Sequence, residues 1–103
     1  MRMMMKVSIP VAKGNQTLAD GTLPRVLQES LGKLKPEAAY FTTLDGKRTA
    51  LIFFDMTDPS QIPSTAEPFF NAFDASVEFS PVMNQEDLTK ALGAMAQAAP
   101  GSR

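Results

Sequence analysis

The stretch from Ala38 to Met56 reads as two apolar runs hinged on Asp45-Gly46. An Asp-Gly pair suits a two-residue type I′ turn, whose positive φ angles match the twist of the flanking strands, so it sets a hairpin register without help from distant contacts. Counting outward pairs Leu44 with Lys47, Thr42 with Thr49, Tyr40 with Leu51 and Ala38 with Phe53, and Asp55 follows on the same face. The other face carries Thr43 with Arg48, Phe41 with Ala50 and Ala39 with Ile52, then Phe54 and Met56. Both faces are apolar, and a sheet of that kind needs two covers. Helices of the same chain supply one, and something else must supply the second.

Composition narrows what such a sheet can belong to. With 103 residues and 44% hydrophobic content, the chain reads as one α+β domain over residues 1–103, large enough for a single core. A formal net charge of −1 supplies no attraction to nucleic acid or to an anionic membrane surface. Cysteine and histidine are both absent, which removes disulfides, thiolate nucleophiles, the commonest metal ligand and the commonest general base. No metal and no cofactor is expected. Met1-Arg2-Met3-Met4-Met5-Lys6-Val7 holds no apolar run long enough for a signal peptide. No stretch approaches the roughly 20 apolar residues of a membrane span. A cytoplasmic protein is the resulting expectation, with residues 98–103 as a frayed tail.

Periodicity places the other elements. Met3, Met5, Val7, Ile9 and Val11 alternate with Met4, Lys6, Ser8 and Pro10, which predicts a first strand over residues 4–12. Gly14, Asn15, Asp20 and Gly21 then predict a loop from Ala12 to Gly21, with Thr22 as the N-cap of a helix and Pro24 in its first turn. Leu23, Val26, Leu27, Leu31 and Leu34 form that helix's apolar stripe, and Pro36 limits it to about Leu34. Beyond the hairpin, Asp58-Pro59-Ser60 starts a second helix. Pro63 and Pro68 predict a short first turn, a break, and a helical piece from Thr65 to Phe73. Ser76 to Val82 alternates as a fourth strand, and Asn84 caps a last helix with Leu88, Ala91, Leu92 and Met95 as its stripe.

The order is βαββαβ with an extra C-terminal helix, the ferredoxin-like pattern, and right-handed crossovers then give a four-stranded antiparallel sheet in the order 4-1-3-2. One face takes the crossover helices. The other receives the more polar set of each strand: Lys6, Ser8, Tyr40, Thr42, Leu51, Phe53, Asp55, Glu78 and Ser80. That mixture suits a shared interface with a ligand cleft.

Strands in this order resemble the dimeric α+β barrel superfamily, in which two ferredoxin-like sheets pack face to face. More narrowly, Phe54-Asp55-Met56, Asp58-Pro59-Ser60-Gln61-Ile62-Pro63, Ala66-Glu67-Pro68 and Val77-Glu78-Phe79-Ser80-Pro81-Val82-Met83-Asn84 resemble a group of uncharacterised small bacterial proteins, over roughly the whole chain. The superfamily includes cofactor-free monooxygenases, lactone isomerases, haem-handling enzymes and stress-response proteins, so the resemblance implies fold and homodimer more than activity. The missing histidine speaks against the haem branch.

Two residues stand out as candidate catalytic groups, Asp55 and Tyr40. Asp55 ends a strand after Leu51-Ile52-Phe53-Phe54, where burial would raise its pKa and suit it to act as a general base. Its alternative role is to cap the following helix or to pair with Lys6. Tyr40, the one tyrosine, offers a hydroxyl to orient a ligand or steady an enolate, or else apolar area with a hydrogen-bonded tip. Lys6, Ser8, Thr42, Phe53, Glu78 and Ser80 complete the cleft, with Lys6 and Glu78 also suited to a cross-strand ion pair. Glu67 and Phe70 are expected to reach it from the second crossover helix. Phe69 and Phe73 read as core.

Three readings of function follow. The first is a homodimeric small-ligand-binding or stress-associated protein without cofactor. The second is a cofactor-independent isomerase or monooxygenase on a small aromatic or lactone-like substrate, with Asp55 as base and Tyr40 orienting. The third is a structural assembly domain whose polar groups satisfy one another.

Overall fold

Buried and half-buried side chains alternate along the whole of Arg2–Ile9 (β1), with Met3, Met5, Val7 and Ile9 turned one way and Arg2, Met4, Lys6 and Ser8 the other. The structure, a computed structural model describing residues 1–98, continues with helices Val11–Ala19 (α1) and Thr22–Leu34 (α2) and the hairpin strands Ala38–Leu44 (β2) and Lys47–Asp55 (β3). A 3₁₀ turn Pro59–Gln61, helix Ile62–Phe73 (α3), strand Ser76–Pro81 (β4) and helix Gln85–Gln97 (α4) complete it. The frayed tail expected for residues 98–103 lies outside the described residues from 99 onward.

All four strands pair antiparallel in the order β2-β3-β1-β4, which is the expected 4-1-3-2 read from the opposite edge. The α+β arrangement is compatible with a ferredoxin-like fold. Hairpin register follows the turn chemistry: Tyr40 lies opposite Leu51, Ala38 opposite Phe53 and Leu44 opposite Lys47. Asp45 at φ 54 and Gly46 at φ 73 supply the two positive values of a type I′ turn.

The first departure from the sequence reading comes after Ile9. Pro10 ends the strand and caps α1, whose first helical bond runs from the Gly14 amide to the Pro10 carbonyl at 2.8 Å. The segment expected as a loop is therefore a helix. Gly14 and Asn15 weaken a helix intrinsically, yet both act in tertiary packing. A Cβ on buried Gly14 would lie 2.7 Å from Arg48 Nη1, and that guanidinium donates to Asn15 Oδ1 at 3.1 Å. Helix α2 is capped by Gly21 at φ 84 rather than by Thr22, whose amide donates to Asp20 Oδ1 at 2.9 Å. Hydrogen bonding from the Thr22 side chain, then from its backbone, holds the Asp20 carboxyl below its ordinary value.

Helix α3 starts earlier than expected, at Ile62 rather than near Thr65, directly after the short first turn. Pro63 falls in the first turn, where amides have no helical partner, and only Pro68 is interior, deleting the bond that the Ser64 carbonyl would otherwise receive. Asp58 caps the preceding 3₁₀ turn through the Ser60 amide at 2.8 Å, as its Asp-Pro-Ser signature implies. The break at the Gln61 to Ile62 junction is a change of helix type.

Helices α1, α2 and α3 cover one face of the sheet. Val26 from α2 and Phe69 and Phe73 from α3 join Met3, Met5, Val7, Ile9, Ala50, Ile52, Phe54, Met56 and Ala75 in a single core, with Leu23, Leu27, Leu31 and Leu34 packed against it. Burial of each phenylalanine ring contributes about 1.5–3 kcal/mol. Edge strand β2 runs out from under this layer, so that even Phe41, on the helix side, is exposed.

Helix α4 belongs to neither layer. Asn84 caps it as expected, with Asn84 Oδ1 accepting from the Asp87 amide at 2.8 Å and Asp87 Oδ2 from the Asn84 amide at 3.0 Å. It buries no residue, and Leu88, Leu92 and Met95 of its stripe are 44%, 53% and 67% exposed. Arg2 tethers its base, reaching Glu37 Oε1 at 2.6 Å and Asp87 Oδ2 at 3.2 Å. The molecule measures 62 × 28 × 19 Å as a result.

Candidate functional site

Alternation along the strands decides what the uncovered face of the sheet displays. Three rows cross it: Tyr40, Leu51, Lys6 and Glu78; then Ala38, Phe53, Met4 and Ser80; then Thr42, Thr49, Ser8 and Ser76. Asp55 follows beside Arg2. The sheet thus brings Lys6, Ser8, Tyr40, Thr42, Phe53, Glu78 and Ser80 onto one surface, the face expected to take the more polar set of each strand. In a single copy Tyr40, Thr42, Ser76 and Glu78 of that surface are exposed, with Tyr40 at 62%, most of the rest is half-buried, and Thr49 alone is buried. The Tyr40 ring meets Phe53 edge-on, centroids 6.2 Å apart and planes at 74°, and the pair stands beside Met4 and Leu51 in one apolar ridge.

One ion pair links polar side chains of this face, while the Ser80 and Thr49 hydroxyls turn to backbone carbonyls of their own strands. Lys6 Nζ lies 3.8 Å from Glu78 Oε2 across the strands, the expected ion pair, in a setting solvated enough that it contributes no more than about 1 kcal/mol. Asp55 is where the structure departs from expectation. Its side chain is exposed and accepts from the N-terminal ammonium of Met1 at 2.7 Å, so it is neither buried, nor paired with Lys6, nor a helix cap. It also stands four residues along β3 from Leu51, the partner of Tyr40, a separation of about 13 Å. One small substrate does not bridge the two.

Glu67 and Phe70 are not brought to this surface. They ride on α3, on the opposite side of the sheet, and both are exposed while Ala66, Phe69 and Phe73 of the same helix are buried. Phe70 does project away from the Phe69 and Phe73 stripe, as helical spacing requires.

Sequence reading passed over a groove of about 600 Å³ between α2 and α3, floored by Val26, Leu34 and Phe69 and rimmed by Arg25, Lys33 and Asn71. Arg25 Nη1 pairs there with Glu29 Oε1 at 3.6 Å. The available signal was the small residues Ser30, Ser64, Thr65 and Ala72 on the facing helix sides, where larger ones would have closed the gap. Among the described residues, no buried side-chain polar atom lacks a hydrogen-bond partner, no group of three or more carboxylates could hold a metal, and no helix is long and apolar enough to cross a membrane.

Set against known proteins, the chain matches no family model and no curated sequence.

Proposed function

We propose that this protein is a cytoplasmic homodimer of the dimeric α+β barrel kind, pairing two ferredoxin-like sheets through their uncovered faces, and that a small organic ligand binds between them without a cofactor. The observation that carries the reading is the uncovered row of Tyr40, Leu51 and Lys6 beside Phe53 and Met4. A contiguous apolar ridge with its one interior charge already neutralised by Glu78 is suited to another protein surface and poorly suited to water. A stress-associated role is compatible with such binding. The isomerase or monooxygenase alternative draws less support, because Asp55 is exposed and distant from Tyr40.

Sedimentation equilibrium tests the dimer, and a monomer at micromolar concentration would sink it. A thermal-shift screen of small metabolites tests the ligand, since one present at a hundred times its Kd adds about 2.7 kcal/mol to stability. A stabilising hit abolished by Tyr40→Ala places the ligand on the sheet face. One abolished by Arg25→Ala places it in the α2 and α3 groove instead.

A further inference from the structure

Helix α4 presents an apolar stripe that its own chain does not cover. Thirteen residues make a helix about 20 Å long, and isolated helices of that length are marginal in water, more so with Thr89 and Gly93 inside. Leu88, Ala91, Leu92 and Met95 share one side of the wheel, the charged Glu86 and Lys90 fall on the other, and Asp87 at the stripe's edge is paired with Arg2. The side that needs a cover is therefore neutral.

The chain carries a second uncovered surface of the same character. Along β2, Tyr40 and Leu44 on the uncovered face are 62% and 38% exposed, Phe41 at the same edge but on the helix side is 55% exposed, and the seven residues include no charge. Seven strand residues span about 23 Å, which matches the length of α4. The two surfaces cannot meet within one copy as it stands. A nine-residue strand spans about 30 Å, so a molecule 62 Å long has strand and helix lying end to end. Arg2 holds that geometry by gripping the first turn of α4 through Asp87.

We infer that α4 is an exchanged arm, seated along β2 of a second copy of this chain while the central rows of the two sheets meet. The inference rests on the homodimer proposed above. A two-fold axis repeats the contact, so each arm and each β2 is covered once. Area favours it as well. Four strands at about 4.8 Å spacing and about 25 Å in length offer a footprint near 500 Å², short of the roughly 800 Å² per partner of a stable interface. A stripe about 20 Å by 10 Å adds roughly 200 Å² and nearly closes the difference.

The absence of cysteine makes the test direct. Leu92→Cys and Thr42→Cys proteins, mixed and mildly oxidised, are expected to form a disulfide-linked pair, whereas Leu92→Cys mixed with Lys33→Cys, on the helix layer, is not. Equal linking in both mixtures overturns the inference. With both Leu92→Cys and Thr42→Cys in one chain, the disulfide is expected between copies. One within a monomer means the arm folds back on its own sheet and overturns the exchange. The Leu88→Asp, Leu92→Asp double variant is expected to weaken dimerisation by roughly a hundredfold with the body still folded, since α4 buries nothing in its own chain. Unchanged dimer affinity in that variant overturns the arm and leaves the sheet-face dimer standing, while a monomeric wild type removes both.

Discussion

The guanidinium of Arg48 lies over the α-carbon of Gly14, where an added Cβ would sit 2.7 Å from Nη1 and 3.3 Å from Cδ. Two effects oppose each other at this position. Alanine inside a helix is about 1 kcal/mol more favourable than glycine, but here it displaces Arg48 from Asn15. The expected outcome is a nearly neutral Gly14→Ala in the wild type and a gain of about 1 kcal/mol in the Arg48→Ala background. Urea unfolding of the four proteins measures the coupling, and equal gains in both backgrounds would contradict the packing.

Glycines with free space around them separate by backbone angle alone. Nothing stands within 4 Å of a Cβ on Gly46 or Gly32, yet Gly46 holds φ 73 in the hairpin turn and Gly32 is helical. Gly46→Ala is expected to lower stability by about 1–2 kcal/mol and Gly32→Ala to raise it by up to about 1 kcal/mol. Thermal unfolding of the two variants gives the signs.

Acid should weaken the helix starts. The Ser60 backbone amide, then its side chain, holds the Asp58 carboxyl below its usual value near 3.8, and Thr22 does the same for Asp20. A carboxyl that binds its proton less tightly when folded stabilises fully above the unfolded value and loses that contribution as pH falls through the lower folded one. Asp58→Asn keeps an acceptor for the cap but does not titrate. Its urea midpoint is therefore expected to approach or overtake that of the wild type below about pH 4. A constant gap between the two from pH 7 to pH 2.5 would remove the cap from the acid response.

Tyr40 separates folding from association. Since it is 62% exposed in one copy, Tyr40→Lys is expected to leave far-ultraviolet circular dichroism unchanged while weakening self-association at least tenfold, read by sedimentation velocity across a dilution series. An unchanged sedimentation profile would move the interface away from this face.

What was legible in the residues divides by the range of the interactions involved. Asp45-Gly46 specifies its turn from within, so the hairpin register and the face of Tyr40 can be counted off, and alternation of polar and apolar residues places Lys6 and Glu78. Asn84 and Asp58 announce their caps for the same local reason. Residues 11–19 could not be read that way, because Gly14 and Asn15 are explained by Arg48, more than thirty positions later. Asp55 failed for a related reason. The apolar run before it describes the interior of β3, while Asp55 is the strand's exposed last residue, where Met1 reaches it. Glu67 and Phe70 were placed by helical spacing correctly relative to their neighbours but assigned to the wrong side of the sheet.

Arg2 joins three parts of the chain on one side chain: β1, where it resides, Glu37 at the entry to the hairpin, and Asp87 in the first turn of α4. Because both carboxylates share a single guanidinium, the swing of the last helix and the seating of the hairpin have a common fulcrum. A force on the helix beyond Val82, whose amide is bonded to the Arg2 carbonyl at 3.2 Å, pulls on the same residue that holds Glu37, whose own amide is bonded to the Phe53 carbonyl at 2.8 Å. Mechanically, the far end of the molecule is geared to the row of the sheet that carries Phe53.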